Sequence, residues 1–230
     1  MLDDLSKFDV IAFDADDTLW HNERFFKLSQ NRFCEMLSDY VDIKTLENTL
    51  LAAEIRNLGH YGFGVKGFTL SMIETAIEVT EGRVEASVIK QLLDIGQEML
   101  QHPLELLDGA HIAISHLAQT HPLYLITKGD LLHQERKLAQ SQLGEYFTGV
   151  EIVSDKTPTV YQHILSKIGC APKNFLMIGN SVKSDIQPVL EIGGWACYVP
   201  FESSWEYEHG TIPLANPRFM QITSLTEIVN

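Results

Sequence analysis

Four apolar residues, Val10-Ile11-Ala12-Phe13, run directly into Asp14, Asp16 and Asp17. A run of this kind reads as a strand buried on both faces, and aspartate is among the residues most depleted from strands, so the carboxylates mark its end. Taken alone, the stretch fits either a solvated turn that caps a helix, where aspartate is common, or a set of acids presented at the edge of a sheet. The rest of the chain separates the two.

After Trp20 the pattern turns helical and stays so for about eighty residues, far longer than a strand-to-helix connection. Phe25, Leu28, Phe33, Met36 and Leu37 recur at near-helical spacing, as do Ile43, Leu46, Leu50, Ile55 and Leu58. Two further helices are expected over 68–80 and 84–100. Between the second and third lies Gly59-His60-Tyr61-Gly62-Phe63-Gly64-Val65-Lys66-Gly67, whose four glycines predict a loop without regular structure.

From Pro103 onward helices and short apolar runs alternate. The runs cover 123–126, 150–153, 175–178 and 195–199, with helices expected over 110–119, 131–142, 160–168 and 185–192, and an edge strand near 219–222. This is the pattern of a parallel sheet with right-handed crossovers. The reading is an α/β fold, a doubly wound, Rossmann-like parallel sheet built from residues 1–20 and 103–230, with residues 21–102 inserted as an α-helical segment.

Each apolar run is followed by polar residues: Asp14 and Asp16 after the first, Thr127 after the second, Lys156 past the third, Asn180 with Ser181 after the fourth, and Asp185 beyond. In a parallel sheet these ends lie on one edge, where ligand crevices of open α/β folds form. Two carboxylates, a hydroxyl, an ammonium and a further acid suit phosphoryl transfer. Asp14 and Asp185 supply hard oxygens of the kind Mg²⁺ takes when substrate phosphate completes its shell. The metal and Lys156 would let Asp14 approach a phosphate dianion as a nucleophile, with Thr127 holding a transferring oxygen. Asp16 would protonate the leaving alkoxide and later deprotonate water, a role that rewards a raised pKa.

Charge narrows the partners. Asp and Glu number 31 against 17 Lys and Arg, a net charge of -14, which repels nucleic acid and anionic membrane surfaces. A small phosphorylated metabolite is compatible once local cations counter that field. Cys34, Cys170 and Cys197 show no Cys-x-x-Cys spacing and predict neither a disulfide framework nor a zinc site. Met1 is followed by Asp3 and Asp4 rather than by a basic segment and an apolar core, and no apolar run reaches the roughly 18 residues of a membrane span. A soluble cytoplasmic protein is the expectation; oligomeric state is not legible.

These residues, taken together, resemble the haloacid dehalogenase-like superfamily, most of whose members are phosphatases, over nearly the whole chain. Asp14-Ala15-Asp16-Asp17-Thr18 is similar to its first motif, which implies the nucleophile at Asp14 and the acid/base at Asp16, with the Asp16 backbone carbonyl as a metal ligand. Thr127-Lys128-Gly129-Asp130 resembles the second motif and Lys156 the third. Gly179-Asn180-Ser181-Val182-Lys183-Ser184-Asp185 resembles the fourth, which usually begins Gly-Asp. Asn180 departs from that pattern: an amide is a weaker and uncharged ligand, while Asp14, Asp185 and the carbonyl remain.

The resemblance implies a Mg²⁺-dependent phosphatase working through an aspartyl-phosphate, with the helical insertion as a cap over the site. Lys128, Asn180, His60, Tyr61 and Lys66 are the candidates for substrate contact. Asp17 is expected to cap the next turn, Thr18 to buttress the motif, and Trp20 to be core. A dehalogenase is disfavoured because members with that chemistry lack the second motif aspartate, here Asp16. A phosphomutase shares every core motif, and a catalytically weak phosphate-binding regulatory protein is favoured by Asn180; both stay open.

Overall fold

The computed structural model describes residues 5–202 and 205–229. Met1 to Asp4, Ser203, Ser204 and Asn230, which the sequence assigns to the α/β core, lie outside the described residues. The chain divides into two compact units. Unit 1 comprises the described residues up to Glu23, then Leu104–Lys128 and from Gln134 onward; unit 2 comprises Arg24–Pro103 and Gly129–His133.

Unit 1 is built on six parallel strands: β1 (Val10–Phe13), β2 (Leu123–Lys128), β3 (Gly149–Val153), β4 (Phe175–Gly179), β5 (Trp195–Tyr198) and β6 (Phe219–Gln221), in the order β3-β2-β1-β4-β5-β6. All four residues of β1 are buried, as an unbroken apolar run in a central strand requires. Successive residues face opposite sides. Ile11 and Phe13 join Leu123, Leu125, Leu176 and Ile178 in one core, while Val10 and Ala12 join Ile126, Phe175, Met177 and Ala196 in the other. The winding reverses at β1, whose neighbours are β2 and β4, so Asp14 emerges at the topological switch point where open α/β sheets form their crevice.

The helices of unit 1 begin where local chemistry permits. Pro158 opens α7 (Pro158–Ile168) beside the Thr157 cap, and Gly169 closes it in the left-handed conformation at φ 72°. The helix expected over 185–192 differs in form: a single π turn, Val182–Ile186, precedes a short helix, Gln187–Glu191. Asp185 therefore sits inside a π turn, a conformation that recurs at functional sites.

Unit 2 consists mainly of α1 (Glu23–Leu37), α2 (Ile43–Tyr61), α3 (Val65–Val79) and α4 (Ala86–Gln101), packed through Phe33, Leu37, Leu46, Leu50, Met72, Leu92 and Ile95. The glycine-rich loop is far shorter than its composition predicts. Gly59, His60 and Tyr61 complete α2, Val65 to Gly67 begin α3, and the break is confined to residues 62–64. Two glycines explain this tight passage. Gly62 ends α2 at φ 73°, and a Cβ on Gly67 would lie 2.8 Å from the Gly62 carbonyl oxygen. Among the described residues no helix is long and apolar enough to cross a membrane.

Candidate active site

The strand ends of unit 1 bring Asp14, Lys156 and Asp185 together. Asp14 follows β1, its N–H donating to the Ile178 carbonyl, and its side chain is almost wholly buried. Lys156 Nζ donates to Asp14 Oδ1 and, at 2.7 Å, to Asp185 Oδ1. Asp185 is fully buried, and its Oδ2 accepts from the Ser181 N–H at 3.0 Å. A Cβ at position 179 would fall 2.3 Å from Asp185 Oδ2, so any residue but glycine there would displace that carboxylate.

The other Asp14 oxygen faces a different group. Thr18 Oγ1 donates to Asp14 Oδ2 at 3.0 Å and accepts from the Asn180 N–H at 3.1 Å, so Thr18 does buttress the motif. The Asn180 amide lies 3.2 Å from Asp14 Oδ2, the Asp16 carbonyl oxygen and Thr18 Oγ1, and its nitrogen, facing these three acceptors, donates to all of them. The two ends of an amide are told apart only by their partners. The three acceptors therefore select the orientation with the nitrogen inward; a cation bound among the Asp14 carboxylate and the Asp16 carbonyl would instead draw the amide oxygen to it, giving the carboxylate, carbonyl and amide oxygens that Mg²⁺ prefers as hard ligands. No three His, Cys, Asp or Glu side chains cluster as a metal centre among the described residues, so a cation here depends on that mixed oxygen set.

Electrostatics divides the two carboxylates. Burial pushes the Asp14 carboxyl up to about 7, with Lys156 opposing and Asp185 adding to the rise. Lys156 keeps its proton, because Asp14 and Asp185 outweigh the burial that would lower it. Asp16 departs from the raised pKa expected of it. Burial acts upward there too, yet Lys137 together with bonds from Trp20 and Gln134 holds the carboxyl below its ordinary range. Asp17 caps the next segment as expected, at φ 60°, accepting from the N–H groups of Asn22 and Glu23. Burial raises it to about 7.

Thr127, buried near the end of β2, accepts from Gln134 Nε2 at 2.7 Å. Lys128 donates to Ser184 Oγ at 2.8 Å and to Glu208 Oε1 at 2.6 Å, so it is an engaged cation rather than a solvated one. Asp14, Asp16, Thr127, Lys128, Lys156, Asn180 and Asp185 thus all belong to unit 1, whereas His60, Tyr61 and Lys66 belong to unit 2. All three of the latter are exposed. Tyr61 OH donates to Glu74 Oε1 at 2.8 Å, and Lys66 pairs with Asp130, its N–H to Oδ2 at 3.1 Å and Nζ 3.4 Å from Oδ1.

Sequence reasoning missed Gln134, Lys137 and Glu208. A polar residue on a helix reads as part of its solvated face, and Glu208 sits in a stretch without periodicity, so neither carries a local signal. Ser181 and Ser184, which both donate to Glu208, are hidden as its partners for the same reason.

Residues 8–193 match the family model for haloacid dehalogenase-like hydrolases. A haloacid dehalogenase-like family hydrolase of Xanthomonas campestris is 41% identical, with 96% of this chain and 89% of that one covered at a TM-score of 0.86. A putative hydrolase of the same type from Bacillus subtilis, described as bound to magnesium, is 19% identical over 96% of both chains with a TM-score of 0.66. Among curated proteins, N-acylneuraminate-9-phosphatase of Mus musculus is 23% identical, covering 97% of this chain and 93% of its own.

Proposed function

Because the chain belongs to the haloacid dehalogenase-like hydrolases, we propose that it is a Mg²⁺-dependent phosphatase that hydrolyses a small phosphorylated metabolite through an aspartyl-phosphate. One observation carries the reading: Asp14 stands at the switch point with Lys156 on one oxygen and the Thr18 hydroxyl and the Asn180 amide beside the other, and Asp16 is two residues on.

In this reading Asp14 attacks the phosphorus, forming an O–P bond as the bond to the leaving oxygen breaks. Asp16 delivers a proton to that oxygen, then takes one from the water that frees Asp14 and releases inorganic phosphate. Thr127 and Lys156 bind phosphoryl oxygens and offset their charge. Mg²⁺ would be held by Asp14, the Asp16 carbonyl and the Asn180 oxygen, and when bound it supplies charge neutralisation for phosphate beside a carboxylate. We assign Asp185, whose oxygens are both bonded to protein donors, to holding Lys156 against Asp14. Within unit 2, Lys66, His60 and Tyr61 are the candidates for reading the leaving group, and unit 2 is the inserted cap.

The test is a panel of phosphorylated metabolites assayed with Mg²⁺ and after chelation. Sugar phosphates head the panel, and N-acylneuraminate 9-phosphate joins it because the curated relatives are named for it. Turnover that needs Mg²⁺ and stops on chelation is expected; full activity after exhaustive chelation would overturn the metal assignment. Calorimetric titration with Mg²⁺ gives a readout independent of turnover. Asn180→Asp should tighten binding on the order of tenfold by adding a charge beside the ion, and unchanged affinity would remove Asn180 from the ligand set.

A further inference from the structure

Three N–H donors converge on the Asp16 carboxylate. Its Oδ1 accepts from Trp20 Nε1 and Lys137 Nζ, both at 2.6 Å, and its Oδ2 from Gln134 Nε2 at 3.1 Å. Gln134 and Lys137 lie three residues apart on α6 (Leu131–Ser141), so they share a face, and they are only 3% and 8% exposed. Polar groups so deeply buried must be paired. Lys137 makes a second bond to Asn22 Oδ1 at 3.1 Å, and Gln134 also reaches Thr127 Oγ1 at 2.7 Å and the Lys128 carbonyl at 2.9 Å.

We propose that Lys137, assisted by Gln134, is a positioning residue of the reaction: α6 fixes the Asp16 side chain in the orientation from which it exchanges a proton with the leaving group, and Gln134 ties that orientation to Thr127. The geometry favours this over a purely structural ion pair. A lysine serving only to offset a buried charge would not need a glutamine on the same helix face to bridge the acid/base candidate and the hydroxyl assigned to the phosphate. The assignment rests on the phosphatase reading above, and the experiment keeps the two apart.

Lys137→Met and Lys137→Arg are compared with wild type, as full chains with Mg²⁺, on 4-nitrophenyl phosphate and on the best alkyl phosphate of the panel. The ratio of kcat/KM values is the readout, because it reports the half-reaction in which the leaving group departs. An aryl oxide leaves without a proton, whereas an alkoxide needs one. Lys137→Met should lower kcat/KM on the alkyl ester by about 10-fold or more relative to the aryl ester, a part of the roughly 10²–10⁴-fold that losing a general acid–base group costs. Lys137→Arg, which keeps the charge and the donors, should restore the ratio.

Equal losses on both esters, or none, would overturn the assignment and return Lys137 to a structural role. Should Lys137→Met fail to fold, Gln134→Met supplies the same comparison with the same two outcomes. A wild type that hydrolyses neither ester defeats the phosphatase reading itself, and this assignment with it.

Discussion

Asp14 and Asp16 are two residues apart, each is met by a buried lysine, and their acidities move in opposite directions. Asp14 is pushed up to about 7 and Asp16 is held below its ordinary range. The difference lies in how the cations are shared. Lys156 divides its charge between Asp14 and Asp185, leaving the burial of Asp14 undercompensated. Lys137 divides its bonds between Asp16 and the neutral amide of Asn22, and Trp20 and Gln134 add neutral donors to the same carboxylate. Two identical side chains thereby acquire different acidities, which the proposed reaction would put to different tasks. Asp14 requires more positive charge to be an anion near neutrality, which a cation beside Oδ2 would provide, while Asp16 rests as a carboxylate and, in the proposed reaction, would have to gain a proton before acting as an acid.

The sharpest way to break this comparison is to remove each carboxylate in turn. Asp14→Asn should abolish turnover on every substrate, by roughly 10⁴-fold or more, the scale on which loss of a nucleophile is felt. Asp16→Asn should cost about 10²–10⁴-fold on alkyl esters and much less on aryl phosphates, since only the former need a proton on the leaving group. Steady-state kinetics on both esters decides the matter. If the two variants lose equal activity on both substrates, the division of labour fails.

Removing the shared cation comes next in size. Lys156→Met leaves Asp14 and Asp185 buried without their partner, and destabilisation of about 3–5 kcal/mol is expected at pH 8, read by urea unfolding in the presence of chelator. With its carboxyl raised to about 7, Asp14 is protonated in the folded protein at pH 5 and no longer presents a bare charge. The cost of Lys156→Met should therefore shrink at pH 5. A loss that is equal at the two pH values would mean that Asp14 is not raised.

A pair with one exposed partner marks the lower bound, its carboxylate, Asp130, being only 11% exposed. The Lys66 side chain is 57% exposed where it meets Asp130, in contrast to the 1% of Lys156. Lys66→Ala should change stability by less than about 1 kcal/mol, since the lysine head is solvated and the backbone N–H bond to Asp130 is retained. Its effect should instead fall on kcat/KM, and only for substrates whose leaving group is anionic. Unchanged kinetics across the panel would remove Lys66 from substrate recognition.

The unequal legibility of these residues has a physical basis. The α/β architecture and the strand-end acids could be read from the chain because a strand buried on both faces needs an unbroken apolar run, and an aspartate ending that run is conspicuous. Thr127 and Lys156 were visible for the same reason, each following such a run. Helices, by contrast, place every third or fourth residue on a common face, and the apolar periodicity of α6 gives no indication that Gln134 and Lys137 face protein rather than water. Their burial depends on Asp16 and Asn22, more than a hundred positions away in sequence.

The sequence by itself determined the order of strands and helices, the acids and hydroxyl at the strand ends, and the family, since all of these reside in local pattern and motif spacing. Only the tertiary structure decided which lysine faces which carboxylate, where Glu208 ends, which acceptors surround the Asn180 amide, and that the glycine-rich stretch is mostly helix. Each of those outcomes is a pairing between distant segments. Its energy comes from desolvating charge against a partner that the local chain does not specify.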